Sequence, residues 1–164
     1  MKKQFPFVLA ILFLAAGCAH DTPSIVATPN TDAGLSGDLP FNPLQWQVIT
    51  SEINPAASTM STLYGNDPAV KYARSHSLHD YPAGSVLALV TWGQKEDQRW
   101  FGANIPGKVV SVEFVSLEST PDKKPVASFQ RYEGSPLQKS AALDDLAANT
   151  RAAYILAQRP AVMP

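Results

Sequence analysis

The spacing of apolar and polar positions predicts a series of strands in the second and longer part of the chain. Ser85–Trp92 is almost continuously apolar, which predicts a central strand buried on both faces. Shorter apolar or alternating runs predict further strands at residues 44–51, 60–64, 99–103, 108–117 and 126–132. In the run 108–117, Val110, Val112 and Phe114 are predicted to share one side, opposite Ser111 and Glu113.

Two helices complete the predicted domain. Asn66-Asp67-Pro68 supplies a capping side chain followed by proline at the first helical position, and Ala69, Val70 and Ala73 follow on one face. Ser140 is the expected N-cap of a second helix reaching about Ala157. Its expected apolar positions are Leu143, Leu146, Ala147, Ala153, Tyr154 and Ala157. These elements predict an α+β fold, with an antiparallel sheet of about five to six strands flanked by two helices.

The start of the chain has the features of a targeting signal. Lys2 and Lys3 precede the apolar run Phe5–Ala16, which is shorter than the roughly 20 residues that cross a bilayer. The run is therefore expected to be the core of a signal peptide over residues 1–17. Leu14-Ala15-Ala16-Gly17-Cys18 resembles the lipobox of bacterial lipoproteins. The alternative is an ordinary secretory signal with a cysteine near its cleavage site by chance.

The lipobox resemblance implies a location. Cleavage would precede Cys18, whose sulfur would carry the lipid, with fatty acyl groups such as palmitate. Ala19, where aspartate would favour the inner membrane, implies the outer membrane facing the periplasm. Residues 18–43 contain several Pro and Gly residues without a regular period, so they are expected to form the lipidated Cys and a flexible tether. Residues 44–164 would form the domain.

Composition limits the possible functions. The 164 residues fit one domain, and 45% hydrophobic residues can pack a core. Thirteen Lys and Arg against 14 Asp and Glu give a net charge of -1, which argues against nucleic-acid binding. Cys18 is the only cysteine. Its acylation would leave the domain without a disulfide, a thiolate nucleophile or a cysteine metal ligand.

Five short motifs in the middle of the chain carry a family resemblance. They are TMSTLYGND at 59–67, YPAGS at 81–85, WFG at 100–102, VEFV at 112–115 and RYEG at 131–134. In this order and spacing, they resemble the cytochrome P-460 domain family over most of residues 44–137. The resemblance implies an antiparallel sheet flanked by helices, and a c-type haem usually cross-linked to a lysine. It also implies oxidation of hydroxylamine or nitric oxide in the periplasm. Several members are dimers, so a homodimer is left open.

The chain departs from this family at the haem. Covalent attachment needs Cys-x-x-Cys-His. The C-terminal region, where the family places that motif, reads SAALDDLAANTRAAYI, and no histidine follows His79. Ser85–Trp92 also lacks a lysine for cross-linking. No cofactor is therefore expected. Whether the protein is an enzyme stays open, with the missing motif arguing against it.

Two groups of residues remain as candidates for chemistry. His76, His79 and Asp80 are candidate metal ligands, and either imidazole is a candidate axial ligand for noncovalent haem. The alternative is an exposed polar loop, and no metal is expected. The candidates for lining an apolar pocket are Tyr64, Tyr81, Trp92, Trp100 and Phe101. For them the alternative is the core, where aromatic residues are common.

Three hypotheses follow for the function. The preferred one is a lipid-anchored, haem-less relative of cytochrome P-460 that acts as a binding or interaction module. Its partner would be an envelope protein or a small apolar ligand, besides the membrane that holds its anchor. The second is a noncovalent haem-binding or gas-binding protein that uses His76 or His79. The third is a structural envelope lipoprotein with only a protein-contact surface.

Overall fold

The fold is a six-stranded antiparallel meander with two helices. The structure, a computed structural model, describes residues 29–75, 80–121 and 124–161. In these ranges the elements are β1 Gln47–Asn54, β2 Thr59–Gly65, α1 Asp67–Ser75, β3 Val86–Glu96, β4 Asn104–Glu118, β5 Val126–Glu133, β6 Gln138–Lys139 and α2 Asp145–Leu156. Each strand pairs antiparallel with the next one in the chain. The predicted α+β fold is confirmed.

Strand β3 lies inside the sheet and is buried on both sides, as its apolar run predicts. Leu87 and Leu89 point to the side covered by the two helices, which we call the helix face. Ala88, Val90 and Trp92 point to the opposite side. Because side chains alternate along a strand, a run that is apolar at every position needs cover on both faces.

Helix α1 packs on the helix face as predicted. Ala69, Val70 and Ala73 are its buried residues. The Asn66 side chain connects the start of this helix to the start of β3. Its Oδ1 accepts hydrogen bonds from the backbone N–H groups of Ala69 at 3.2 Å and Val86 at 3.0 Å. Asn66 is therefore an N-cap that also fixes the position of α1 against the sheet.

The other side of the sheet is covered by the N-terminal segment, residues 29–46, which we call the strap. It includes two short 3-10 turns, Thr31–Ala33 and Pro43–Gln45. The Trp92 indole N–H donates to the carbonyl of Ala33 at 3.0 Å, and the Leu137 N–H donates to the carbonyl of Ser36 at 2.7 Å. We call this side of the sheet the strap face. The strap residues packed against it are Ala33, Leu35, Leu39 and Trp46.

The prediction of a flexible tether is wrong for residues 29–43. Their apolar side chains have no regular period because the segment is neither helix nor strand, yet they meet apolar positions of the sheet that need cover. Hydrogen bonds to β4 and to the segment before β6 hold the strap in place, at Pro106 and Leu137. Residues 1–28, which include the predicted signal peptide and Cys18, lie outside the described residues.

The predicted strand 99–103 is wrong, since these residues form the turn between β3 and β4. Asp97 organises this turn. Its N–H donates to the carbonyl of Ala103 at 2.9 Å, and its Oδ1 accepts from the Arg99 N–H at 2.9 Å. Gly102 has a positive φ of 77°, which suits glycine. Local side-chain hydrogen bonds and this backbone conformation therefore outweigh the apolar character of the run.

The alternation predicted for residues 108–117 fails at Val110. The register between β3 and β4 shifts beside Trp92, which pairs with Val109 after Thr91 pairs with Ser111. One additional residue in β4 reverses the alternation, so that Val109 packs on the strap face and Val110 is exposed. A smaller difference concerns β1, which begins at Gln47, after the second 3-10 turn.

Helix α2 starts later than predicted and buries a different face. Asp144 is its N-cap, with Oδ1 accepting from the Ala147 N–H at 2.8 Å, whereas Ser140 Oγ donates to Glu133 at 2.9 Å. Ala152 and Ile155 are its buried residues. The predicted apolar positions Leu143, Leu146 and Tyr154 are exposed. The predicted face contained larger side chains. The buried face instead includes the small Ala152, which allows α2 to pack close to the sheet.

A buried ion pair holds α2 against the sheet. Glu113 of β4 is only 1% exposed on the helix face. Arg151 of α2 donates from Nε to Glu113 Oε1 at 2.8 Å and from a terminal nitrogen to Oε2 at 2.7 Å. This bidentate geometry satisfies both carboxylate oxygens. A buried carboxylate without such a partner would be strongly destabilising.

We predict that Arg151→Met lowers the free energy of unfolding by about 3 kcal/mol, because it leaves Glu113 buried and unpaired. Glu113→Leu should cost less, since the Arg151 side chain is 36% exposed and can turn to solvent. The double variant Glu113→Leu/Arg151→Met should recover most of the loss. Urea unfolding of the four proteins gives the coupling energy. Additive effects would show that the pair does not hold the helix.

A second prediction concerns the strap. Gly37 has φ +133°, and a Cβ at this position would overlap the carbonyl oxygen of Leu137. Gly84 is the matched control, with φ +85° and no atom within 4 Å of the added Cβ. Gly84→Ala should cost about 1 kcal/mol from backbone strain alone. Gly37→Ala should cost at least about 1 kcal/mol more and shift Trp92 emission to the red. Equal losses would argue against a tightly held strap.

Candidate functional site

The five aromatic pocket candidates lie in three separate places. Tyr81 is buried on the helix face, where its ring centroid lies 5.0 Å from that of Tyr72. Tyr64 and Trp92 pack on the strap face. Trp100 and Phe101 lie in the turn between β3 and β4, exposed to solvent. The fold therefore does not bring these five side chains around one common cavity.

The half-buried Tyr64 and the buried Tyr81 have the properties of residues packed in the core. Burial raises the pKa of the Tyr64 hydroxyl. Burial, and secondarily the nearby Tyr72, raises the pKa of Tyr81. Both therefore remain neutral phenols at physiological pH. Neither is prepared to act as a phenolate ligand or base.

The candidate metal ligands are divided by the limits of the described chain. His76 and His79 lie outside the described residues, whereas Asp80 is described and exposed. Among the described residues, no cluster of three or more His, Cys, Asp or Glu side chains has an arrangement suited to a metal ion. Cys18, the predicted lipidation residue, also lies outside the described residues.

A chain of polar contacts extends from the buried ion pair to the edge strand. The Arg151 guanidinium lies 4.6 Å from the ring centroid of Tyr154, and the Tyr154 hydroxyl donates to Glu52 of β1 at 2.9 Å. The hydrogen bond between Arg151 and Glu113 raises the pKa of Arg151, whereas burial lowers it by a smaller amount. Burial, followed by the hydrogen bond to Glu52, raises the pKa of Tyr154. Both groups therefore keep their protons at neutral pH.

This chain of contacts is suited to holding α2 in place rather than to catalysis. Glu113 is almost fully buried and each of its oxygens accepts a hydrogen bond from Arg151, so the carboxylate is not accessible to a substrate. The alternation of residues 108–117 predicts Glu113 beside Ser111 on one side of the strand but gives no indication of its partner. The available signal was a single acidic residue within a run of buried positions. Its pairing with a residue 38 positions away could not be inferred from that run.

Surface grooves lie at the margins of the sheet. One groove of about 820 Å³ follows β1 and is lined by Gln47–Ser51, Arg74, Pro160 and Ala161. The Ala161 N–H donates to the carbonyl of Ile49 at 2.9 Å, so the C-terminal segment forms one wall. A smaller groove of about 270 Å³ lies between the strap and residues 134–137. These grooves are open to solvent and contain none of the five aromatic candidates.

The turn at residues 97–103, which we call the aromatic tip, presents the most exposed aromatic side chains of the described chain. Trp100 is 71% exposed and Phe101 is fully exposed. The turn itself is well ordered by hydrogen bonds, including that from the Ala103 N–H to the carbonyl of Trp100 at 3.0 Å. Large apolar side chains held out from a structured turn are typical of an interaction site. Of the five candidates, these two can contact a partner directly.

The strap begins beside the same end of the sheet. Asn30 donates to the carbonyl of Pro106 at 2.6 Å, and Asp32 forms an ion pair with Lys95 at 2.5 Å. The hydrogen bond from Lys95, together with its charge, lowers the pKa of Asp32. Both partners of this pair are exposed to solvent. The first described residues are thus attached to the two strands that carry the aromatic tip.

Comparison with known proteins identifies the family. The family model described as Cytochrome P460 matches residues 44–150, which are 107 of the 164 residues. A search of curated proteins found no match. Neither described helix is long and apolar enough to cross a membrane. The match extends from the second 3-10 turn through the whole sheet and into α2, and the chain therefore belongs to the cytochrome P460 family.

Proposed function

We propose that this protein is a lipoprotein of the outer membrane whose haem-less cytochrome P460 domain serves as a periplasmic binding or interaction module. Its anchor would be the lipid on Cys18. The observation that carries the proposal is that both faces of the sheet are already covered. The helices cover one face and the strap covers the other. Contact with a partner would therefore use the outer surface.

The residues of this chain do not fit a covalently held haem. Attachment requires two cysteine sulfurs and an axial imidazole at fixed spacing. The sequence contains one cysteine, Cys18, and no described residue is a cysteine or a histidine. In α2, where the resemblance would place the motif, Arg151 is instead paired with Glu113. No reaction step through haem is therefore assigned to this protein.

The packing of Trp92 further supports an interaction module. Its ring is almost fully buried, and its N–H is hydrogen-bonded to the strap. A flat ligand the size of haem could enter the strap face only by displacing the strap from Trp92 and its neighbours. That displacement would expose apolar surface to water, which is unfavourable. An envelope protein or a small apolar ligand at an outer surface requires no such opening.

We predict that the purified protein shows no Soret band, either as isolated or after titration with one equivalent of haem. The protein should be expressed with its own signal in a host that matures c-type cytochromes, so that any attachment could occur. The matched control is His76→Ala/His79→Ala. A stoichiometric Soret band in the wild type, absent from this variant, would contradict the proposal and support noncovalent haem binding through these histidines.

We also predict that the protein incorporates an alkyne-tagged fatty acid and fractionates with the outer membrane. Cys18→Ala should abolish the labelling, because the acceptor sulfur is lost. Ala19→Asp should keep the label and move the protein to the inner membrane, as implied by the resemblance to lipoprotein sorting. An unlabelled wild-type protein in the soluble periplasmic fraction would contradict the anchor.

A further inference from the structure

We infer that the aromatic tip inserts Trp100 and Phe101 into the lipid surface that holds the anchor, so that this end of the sheet rests on the membrane. This inference rests on the proposed lipidation of Cys18. It adds a second contact with the bilayer and a fixed orientation of the domain. The lipid surface is favoured over a protein partner by the position at which the chain leaves the fold.

The two side chains are suited to a membrane interface. Trp100 is 71% exposed and Phe101 is fully exposed, at neighbouring positions of one turn. Tryptophan has an apolar ring with one N–H, and it is enriched where hydrocarbon meets headgroups. Phenylalanine is typical of the apolar side of segments that lie in the interface. Such exposure in water is unfavourable, and lipid contact would relieve it.

The tip is also firmly attached to the sheet. Strands β3 and β4 remain paired as far as Glu96 and Asn104. One residue further along, the Asp97 N–H donates a hydrogen bond to the carbonyl of Ala103. The aromatic pair therefore projects from a continuous two-stranded ribbon. Its position is defined by the sheet, so contact at the tip would set the orientation of the whole domain.

The chain enters the fold at this same end. Asn30 is hydrogen-bonded to Pro106, which pairs with Gln94. From Gln94 to Asp97 there are three residue steps, or about 10 Å along a strand. The first described residues thus lie close to the base of the tip rather than at the opposite end of the sheet, where Trp46 precedes β1.

The length of chain before the strap limits how far the domain can move from its anchor. Ten residues, 19–28, separate Cys18 from Pro29. Even fully extended, a connection of this length spans at most about 40 Å. Because its attachment point is at the base of the tip, the anchor would connect this end of the sheet to the lipid by the shortest path.

Two ion pairs lie beside the tip, and exposed Glu96 at the end of β3 adds one carboxylate that must stay in the hydrated layer. Lys95 is paired with Asp32, and Arg99 lies 3.5 Å from Asp97. Each pair is neutral overall, so neither repels anionic headgroups, and both can stay in the hydrated headgroup layer. The apolar rings alone would need to enter the hydrocarbon boundary.

Fluorescence quenching by brominated lipids tests the inference. The mature protein would be extracted from membranes with its anchor and reconstituted into phosphatidylethanolamine–phosphatidylglycerol vesicles, with or without bromine on the acyl chains. We expect bromolipids to quench one component of tryptophan emission, and Trp100→Ala to abolish that component. Trp46→Phe is the matched control, since it removes a half-buried tryptophan at the other end of the sheet and should leave the quenching unchanged.

A second pair of variants measures the contact without removing a fluorophore. Phe101→Ala should reduce the quenching of Trp100 at least about threefold, because half of the apolar contact is lost. Phe41→Ala removes an exposed aromatic ring of the strap and should have no effect. The inference would be overturned if bromine, at any position on the acyl chains, failed to quench Trp100 emission in the anchored protein. Photocrosslinking from the tip in intact cells gives an independent check. A crosslink to a protein, together with no quenching in vesicles, would overturn the membrane contact in favour of a protein partner.

The two proposals can fail separately. Mass spectrometry of the purified protein reports acylation of Cys18 independently of fluorescence. An acylated protein without quenching of Trp100 overturns the membrane contact and leaves the anchor. If mass spectrometry finds no acyl groups, the anchor proposal fails. The tip can then be tested separately by adding the same protein to preformed brominated vesicles. Quenching of Trp100 there would keep the tip as a lipid contact, and its absence would overturn both proposals.

Discussion

The double-sided burial of β3 is the constraint on which the rest of the structure depends. Each strand of the meander pairs with the next one in the chain, and in the described chain both helices lie on one face. Helices on both sides would come naturally from parallel crossovers, which this topology lacks. In the described chain, the second face is instead covered by a segment that is mostly without regular structure. The strap provides that cover, and its backbone is satisfied by hydrogen bonds to the sheet, including those at Pro106 and Leu137.

This constraint also decides where binding can take place. Once helices and strap are in place, the aromatic side chains inside the sheet stabilise the fold and are not available to a ligand. Helix α2 is fixed by Arg151 and the buried Glu113, so the helix face is not loosely closed. In the described chain, both faces of the sheet are covered by the protein's own residues. The remaining capacity for recognition lies at exposed features, of which the aromatic tip is the clearest.

The parts of the fold that were predictable depend on local signals. Asn66 with Pro68 defined the start of α1, and the apolar run Ser85–Trp92 defined the central strand, because each signal depends on neighbouring residues only. The strap was not predictable, since its apolar residues follow no period and gain their role from contacts with distant strands. The buried face of α2 was predicted wrongly for a related reason. Close packing against the sheet selected Ala152 and Ile155 over larger side chains.

The candidate site was less predictable than the fold. Sequence motifs could identify Trp100 and Phe101 as unusual, but not which way they point. That direction depends on the hydrogen bonding of Asp97 and the positive φ of Gly102. Together they make residues 99–103 a turn instead of a strand. The pairing of Glu113 with Arg151 joins a central strand to the last helix and has no local signature. In both cases the decisive contact lies outside the pattern that drew attention to the residue.

The strap changes the relationship between the proposed anchor and the domain. A tether extending from Cys18 to Leu44 could separate them by about 90 Å when fully extended, and the domain could then take any orientation. Since the fold begins by Pro29, the corresponding limit is about 40 Å. The strap enters beside the aromatic tip and continues across the strap face to β1. The segment nearest the anchor is thus also part of the core. In such an arrangement, the packing that closes the sheet also fixes the point at which the proposed anchor joins it, beside the aromatic tip.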